Sequence, residues 1–183
     1  MVHERGIEIS QKTITAIDKV VAPETKVELQ SLIGKINFIR RFISNLSGRI
    51  QPFSSLLKLK ADQEFVWGEE QQKTLEGIKQ YLTSPPVLIP PQKQKPFKLY
   101  FLADERAIGS ALIQEFKGKE SVVYYVSRRL LDAETRYSPT ERLCLCLYFS
   151  CTKLRHYLLS AECIVVSNDD VVKYMLSLPI LNG

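Results

Sequence analysis

The sequence predicts an α/β (α+β) chain in which a helical part is followed by a mixed sheet. Three observations carry this. Before residue 84, apolar residues recur at helical spacing, as in Leu29, Leu32, Ile33 and Ile36, and again in Leu75, Ile78 and Leu82. After residue 96, three extended runs follow one another (FKLYFLA, AIGSALIQE, SVVYYVSRRL), then a long helical run and a fourth extended run, CIVVSN. A meander of three strands and a helical crossover to a fourth describe a mixed sheet. Between the two parts, Pro85, Pro86, Pro90 and Pro91 interrupt both periods, so 84–96 reads as a semi-rigid linker. The predicted organisation is 1–83, 84–96 and 97–183.

Taken in order, GIEI is a short strand and SQKTITAIDKVV a helix opened by Ser10. Thr25 and Glu28 form a T-x-x-E capping box that opens a helix from Lys26 to about Ile43. A turn at Asn45, Ser47 and Gly48 leads to a helix near residues 50–57, and EFVW is extended. GEEQQKTLEGIKQYL is amphipathic, and Trp67 beside it reads as a core anchor. Past the linker, Lys117, Gly118 and Lys119 turn one strand into the next. Ser138-Pro139-Thr140-Glu141 is a capping box with proline at the first helical position, and it starts PTERLCLCLYFSCTKLRHYLL.

Composition bounds the function classes. With 45% hydrophobic and 25% charged residues in 183, the chain is globular, not disordered. No apolar run is long enough to span a bilayer, and MVHERGIEIS has no secretory h-region, so an intracellular place, cytoplasmic or nuclear, is expected. Cys144, Cys146, Cys151 and Cys163 lack zinc-ligand spacing and are expected to be buried, reduced thiols. The net charge is +5, and its excess is local: residues 1–61 hold 10 Lys/Arg against 5 Asp/Glu, and the remainder 15 of each. That asymmetry points to a nucleic-acid-facing segment in the first third.

On the helix that starts at Lys26, residues 29, 32, 33, 36, 39 and 43 make the core face. Gln30, Gly34, Asn37, Arg41 and Ser44 share another face. A mid-helix glycine costs about 1 kcal/mol relative to alanine. Gly34 therefore suggests close approach of a backbone, from a neighbouring helix or from a nucleic-acid strand. Arg40 and Arg41 are suited to phosphates. His3 and His156 show no partner spacing, and His156 reads as structural.

The ordered series of motifs resembles a gypsy-type LTR retrotransposon reverse transcriptase polyprotein over essentially the whole chain. The resembling residues are RGIEI from Arg5, Ala16 and Ile17, residues 29–47, 51–58, 65–67 and 82–91, then PFKLYF, and AIGSALIQE with Gly109 and Gln114. They continue in VSRRLLDAETRYSPTE, with Ser127, Arg128, Leu130, Glu134, Tyr137 and Ser138 in register, and end in LRHYL. The resemblance implies the end of a palm and a thumb-like segment, then a C-terminally truncated RNase H-like domain, in a piece of a longer polyprotein between Met1 and Gly183. A paired-Asp palm motif is absent from the sequence. The resemblance is closest to plant elements in which this domain is a connection-like tether.

RNase H uses two divalent ions held by a cluster of carboxylates. The resemblance puts three of those acids at positions that here are Leu102, Leu143 and Asn168, with the fourth beyond Gly183. The neighbouring acids are badly placed. Asp104 lies about 6–7 Å further along the strand, and Glu141 points roughly 200° away from Leu143 around its helix. Asp169 is one step past Asn168. Leu102 and Leu143 are expected to pack together, at roughly 2 kcal/mol per well-buried leucine.

The predicted function is therefore non-catalytic. The chain is expected to bind and position template–primer, as RNA–DNA hybrid or DNA duplex, within a reverse transcriptase, through Gln30, Gly34, Asn37, Arg40 and Arg41. No cofactor or metal is expected. Two rivals stand beside this reading: an active RNase H with shifted acids, which would need Mg2+, and an inert relic or protein-interaction module.

Overall fold

The computed structural model describes residues 2–3, 6–60 and 62–177; Met1, Arg5, Gly183 and the side chain of His3 lie outside them. Strands β1 (Val2–His3) and β2 (Gly6–Ile7) form a small antiparallel pair. Helix α1 (Gln11–Asp18) follows, with the Ser10 hydroxyl accepting from Thr13 N at 3.3 Å. Helix α2 (Lys26–Phe38) begins as expected, with Thr25 Oγ1 accepting from Glu28 N. The Glu28 carboxylate, however, reaches Glu24 N at 2.8 Å.

Helix α2 ends at Phe38, not at Ile43. Ile39 leaves helical geometry (φ −105°, ψ 14°), Arg40–Phe42 form a single 3-10 turn, and Ile43 is extended. The cause is tertiary: the Tyr81 hydroxyl donates to the Phe42 carbonyl at 3.0 Å and accepts from Ser44 N. These bonds satisfy backbone groups that a continued helix would have paired internally. Arg41 and Ser44 are therefore not on a continuous face with Gln30.

Asn45 takes a left-handed conformation and caps the short helix α3 (Leu46–Arg49) through Gly48 N. The helix expected near residues 50–57 is broken into a 3-10 turn, Gln51–Phe53, and α4 (Ser54–Leu57). Helix α5 (Glu69–Thr83) buries Leu75, Ile78 and Leu82 against Ile17, Leu29, Leu32, Ile36 and Phe53. Trp67 stacks on Phe53 at 5.4 Å between ring centres, with its indole N–H on Gln72.

The second part is a four-stranded mixed sheet in the order β5-β4-β3-β6. Strands β3 (Phe97–Ala103), β4 (Ala107–Phe116) and β5 (Lys119–Arg129) are antiparallel neighbours, and β6 (Cys163–Val166) runs parallel to β3. The β4–β5 turn places Lys117 and Gly118 at positive φ, the two-residue hairpin geometry that matches strand twist. Helix α6 (Pro139–Lys153) opens on the predicted box: Ser138 N donates to Glu141 at 2.7 Å, and Glu141 N donates to the Ser138 hydroxyl. Leu154, buried in the core, interrupts this helix before α7 (Arg155–Leu158). A last helix, α8 (Asp170–Ser177), is capped by Asp169.

The proline-rich stretch, expected as a semi-rigid linker, is packed on both parts. Leu88 and Ile89 are buried, Leu88 exchanges backbone bonds with Ile7, and Ile89 N donates to Val122 O. Gln114, fully buried in β4, takes Gln92 N on its side-chain oxygen and gives its amide to Gln92 O and Lys95 O. The two parts also meet directly. Val122 and Tyr125 pack on the helical core, Ser47 N donates to the Ser127 hydroxyl at 3.1 Å, and Gly109 lies beside Asn45.

Candidate nucleic-acid interface

Along α2, Val27, Gln30, Gly34, Asn37 and Phe38 fall on one exposed stripe. Val27 leaves 72% and Phe38 80% of its surface open, so two large apolar groups flank the polar ones. A side chain built at Gly34 would meet nothing within 4 Å. Gly34 therefore does not serve helix packing in this chain; it leaves a smooth, open patch of helix backbone.

The stripe runs into a cleft between the two parts. Asn37 and Arg40 line it from the helical side, Lys153, His156 and Tyr157 from the end of α6 and from α7, and Tyr124 and Ser127 from β5. Its volume is about 280 Å³. Among the described residues, neither Arg40 nor Lys153 forms an ion pair or side-chain hydrogen bond, and His156 only lies against the Tyr157 ring at 4.1 Å between centres. Arg41 is half-buried over the Phe42 ring. Burial pushes the Tyr157 phenol up, and the charge of Arg41 opposes that push. Two unpaired cations, an imidazole and aromatic hydroxyls lining one cleft suit an anionic backbone with planar bases.

From the sequence Lys153 stands in no motif and His156 reads as structural, yet both line this cleft. Their signal was the basic run Lys153, Arg155, His156 at the end of a helix. Only the fold brings that run opposite Arg40.

At the three acid positions the structure differs from expectation in one respect. Phe101 and Ala103 pack on Leu145, Cys146 and Phe149 of α6, so Leu102, alternating with them, lies on the opposite sheet face. It leaves 52% of its surface exposed. Leu143 belongs to none of the apolar clusters. The expected buried leucine pair does not form, because strand alternation separates the two side chains. Asn168 is exposed in the bend before α8.

The neighbouring acids are each engaged with backbone. Asp104 accepts from Arg106 N and Ala107 N at 2.7 Å, Glu141 caps α6 and Asp169 caps α8. Among the described residues, no three His, Cys, Asp or Glu side chains are grouped to hold a metal ion. This donor set does not fit a two-metal centre. The cysteines also differ from expectation: Cys146 alone is fully buried, its thiol donating to Gly109 O and pushed up by burial, while Cys151 is exposed.

Residues 67–165, more than half of the chain, match the family model of the RNase H-like domain found in reverse transcriptase. The chain belongs to that family. The Transposon Tf2-3 and Tf2-4 polyproteins of Schizosaccharomyces pombe are each 34% identical over 161 residues, which is 84% of this chain and 12% of theirs. The chain thus spans about an eighth of the length of these curated relatives. The gypsy-type kinship holds, and these relatives lend no support to a plant origin.

The fold is also that of the foamy viral protease-reverse transcriptase. The structure of its dRH form in complex with double-stranded DNA superposes with a TM-score of 0.80 at 22% identity, covering 98% of this chain and 31% of that one. Its complex with RNA/DNA hybrid gives a TM-score of 0.77 at 22% identity, over 99% and 25% respectively. Among the described residues, no helix of this RNase H-like family member is long and apolar enough to cross a membrane.

The resembling motif residues of the sheet part are largely structural. Arg128 holds Glu134 through two parallel bonds of 2.6 and 2.8 Å, and Glu134 also receives Leu131 N. The Arg128 guanidinium holds the Glu134 carboxyl below the usual carboxylate range.

Proposed function

We propose that this chain is a non-catalytic part of a retrotransposon reverse transcriptase that binds and positions RNA–DNA hybrid or DNA duplex. The observation that carries this is the open α2 stripe, Gln30–Gly34–Asn37, leading into a cleft with the unpaired cations Arg40 and Lys153. The stripe offers helix backbone and small polar groups to a groove, and the cleft offers charge to phosphates. The absence of chemistry is supported by Leu102, Leu143 and Asn168 at the acid positions, and by the backbone roles of Asp104, Glu141 and Asp169. On this reading the remainder of the polyprotein supplies the polymerase and its metal ions, and this chain requires none.

The test is duplex and hybrid binding by fluorescence anisotropy as a function of salt. Affinity is expected to fall steeply with salt, and Arg40→Ala with Lys153→Ala to flatten the log–log slope by about 2. Salt-independent or absent binding would leave a relic or protein-interaction module. Cleavage of labelled hybrid in magnesium or manganese that Asp104→Asn abolishes would establish the nuclease instead.

A further inference from the structure

A duplex laid along α2 meets a cleft too small to admit it. At about 280 Å³ the cleft lies at the small end of small-molecule pockets, which run from roughly 300 to 1,000 Å³. A base pair with both its backbones cannot enter, whereas one base freed from its stack can. We propose that this cleft is a pocket for one unpaired nucleotide, its base among His156, Tyr124 and Tyr157 and its phosphate on Arg40 and Lys153. The pocket stands on these residues alone, and only a bound strand as the source of the nucleotide rests on the function proposed above.

The rings favour a flat ligand. Tyr157 has His156 at 4.1 Å and Tyr124 at 6.1 Å between ring centres, tilted by 41° and 49°, and meets Phe97 edge-on at 6.3 Å. Phe97 is buried and holds Tyr157 from the core, while His156 is exposed. Rings anchored in the core at one end and open at the other make a stacking platform, and any base has a π-face to lay on it.

The hydroxyls point the same way. Tyr81 donates to the Phe42 carbonyl and Tyr100 to Glu120, so each is spent within the protein. Among the described residues, the hydroxyls of Tyr124, Tyr125 and Tyr157, which line the cleft, form no hydrogen bond, and none is sealed from solvent. Burial pushes the Tyr125 and Tyr157 phenols up, so both stay protonated and can donate. The Asn37 amide, exposed and lining the same cleft, also has no partner among the described residues. It brings two donors and an acceptor. Such groups match the donors and acceptors on the edge of a base. In a duplex the pairing edge is taken by the opposite base, so the polar lining, like the volume, selects an unpaired one. A base without phosphate would leave Arg40 and Lys153 idle, and phosphate alone would leave the rings idle.

The nucleotide comes from the unpaired end of a bound strand or from free solution, and one experiment separates these sources. Ring resonances of Tyr124, His156 and Tyr157 in the whole chain are followed by NMR during titration with adenosine 5′-monophosphate and, in parallel, with ribose 5-phosphate. The monophosphate is expected to shift all three, and ribose 5-phosphate to leave them in place. No shift at tens of millimolar monophosphate, or equal shifts with both compounds, overturns the pocket. Affinity is then compared for two DNA duplexes that differ by one unpaired terminal nucleotide. The duplex carrying it is expected to bind about tenfold tighter, a preference that His156→Ala should reduce. Ring shifts with equal affinity for the two duplexes overturn the strand end as source and leave a free-nucleotide site. Equal, salt-dependent duplex binding without ring shifts overturns the pocket and leaves the proposed function standing. Ring shifts without any duplex binding do the reverse.

Discussion

The α2 stripe and the segment from Ser127 to Glu141 both resemble the reverse-transcriptase pattern, yet their polar groups are used in opposite ways. In that segment, Ser127, Arg128, Glu134, Ser138 and Glu141 each have a defined protein partner. On the stripe and in the cleft it leads into, the side chains of Gln30, Asn37 and Arg40 have none among the described residues. A polar group held by its own protein contributes to stability and has little left for a ligand; an idle one has the reverse balance. Resemblance alone does not separate these roles, and partner geometry does.

The comparison breaks most easily at Glu134. Glu134→Ala leaves Arg128 partly buried without its carboxylate, and should destabilise the chain by about 3 kcal/mol in urea melts. Duplex affinity of the folded fraction should be unchanged. The same pair sets an acid limit. Because the Glu134 carboxyl is depressed in the folded state, its contribution is complete above the ordinary carboxylate range and is lost as pH falls through the folded value. A Glu134→Gln variant should lose that part of the acid-side slope; an identical slope would place the proton uptake elsewhere.

Next in size is Gln114→Ala. It leaves Gln92 N, Gln92 O and Lys95 O without their buried partner, at a cost of about 2 kcal/mol. Faster proteolysis within 84–96 is the accompanying sign that the proline-rich segment has come loose. A chain equally stable and equally protected would return that segment to the status of a spacer.

The smallest effect sharpens the comparison most. Gly34→Ala should raise stability by about 1 kcal/mol, since the added methyl meets nothing and the helix gains propensity. The same change should weaken duplex binding if backbone approach at Gly34 matters. A stabilised variant with undiminished affinity would remove Gly34 from the interface while leaving Arg40 and Lys153 in it.

Legibility followed the range of the interaction. The Ser10, Thr25 and Ser138 caps, the Lys117–Gly118 turn and the β3 boundaries were readable because each depends on neighbours within a few residues. The inner face of α5 was readable because its period is local. The end of α2 was not, since Tyr81, far along the chain, decides it. Nor was the break at Leu154, which leaves helical geometry (φ −100°, ψ 10°) with its side chain buried. Of the candidate interface, Gln30, Gly34 and Asn37 were legible as one helix face and Arg40 as a phosphate contact, whereas Lys153 carried no motif and His156 read as structural.

By itself the sequence determined the family and most of the order of helices and strands. These are properties of residue identity and short-range spacing. Only the tertiary structure decided that Leu102 faces away from α6, that the proline-rich stretch is clamped by Gln114, and that Arg40 and Lys153 share one cleft. Each of those outcomes depends on residues tens of positions apart, whose meeting is set by packing the helical core against one face of a sheet.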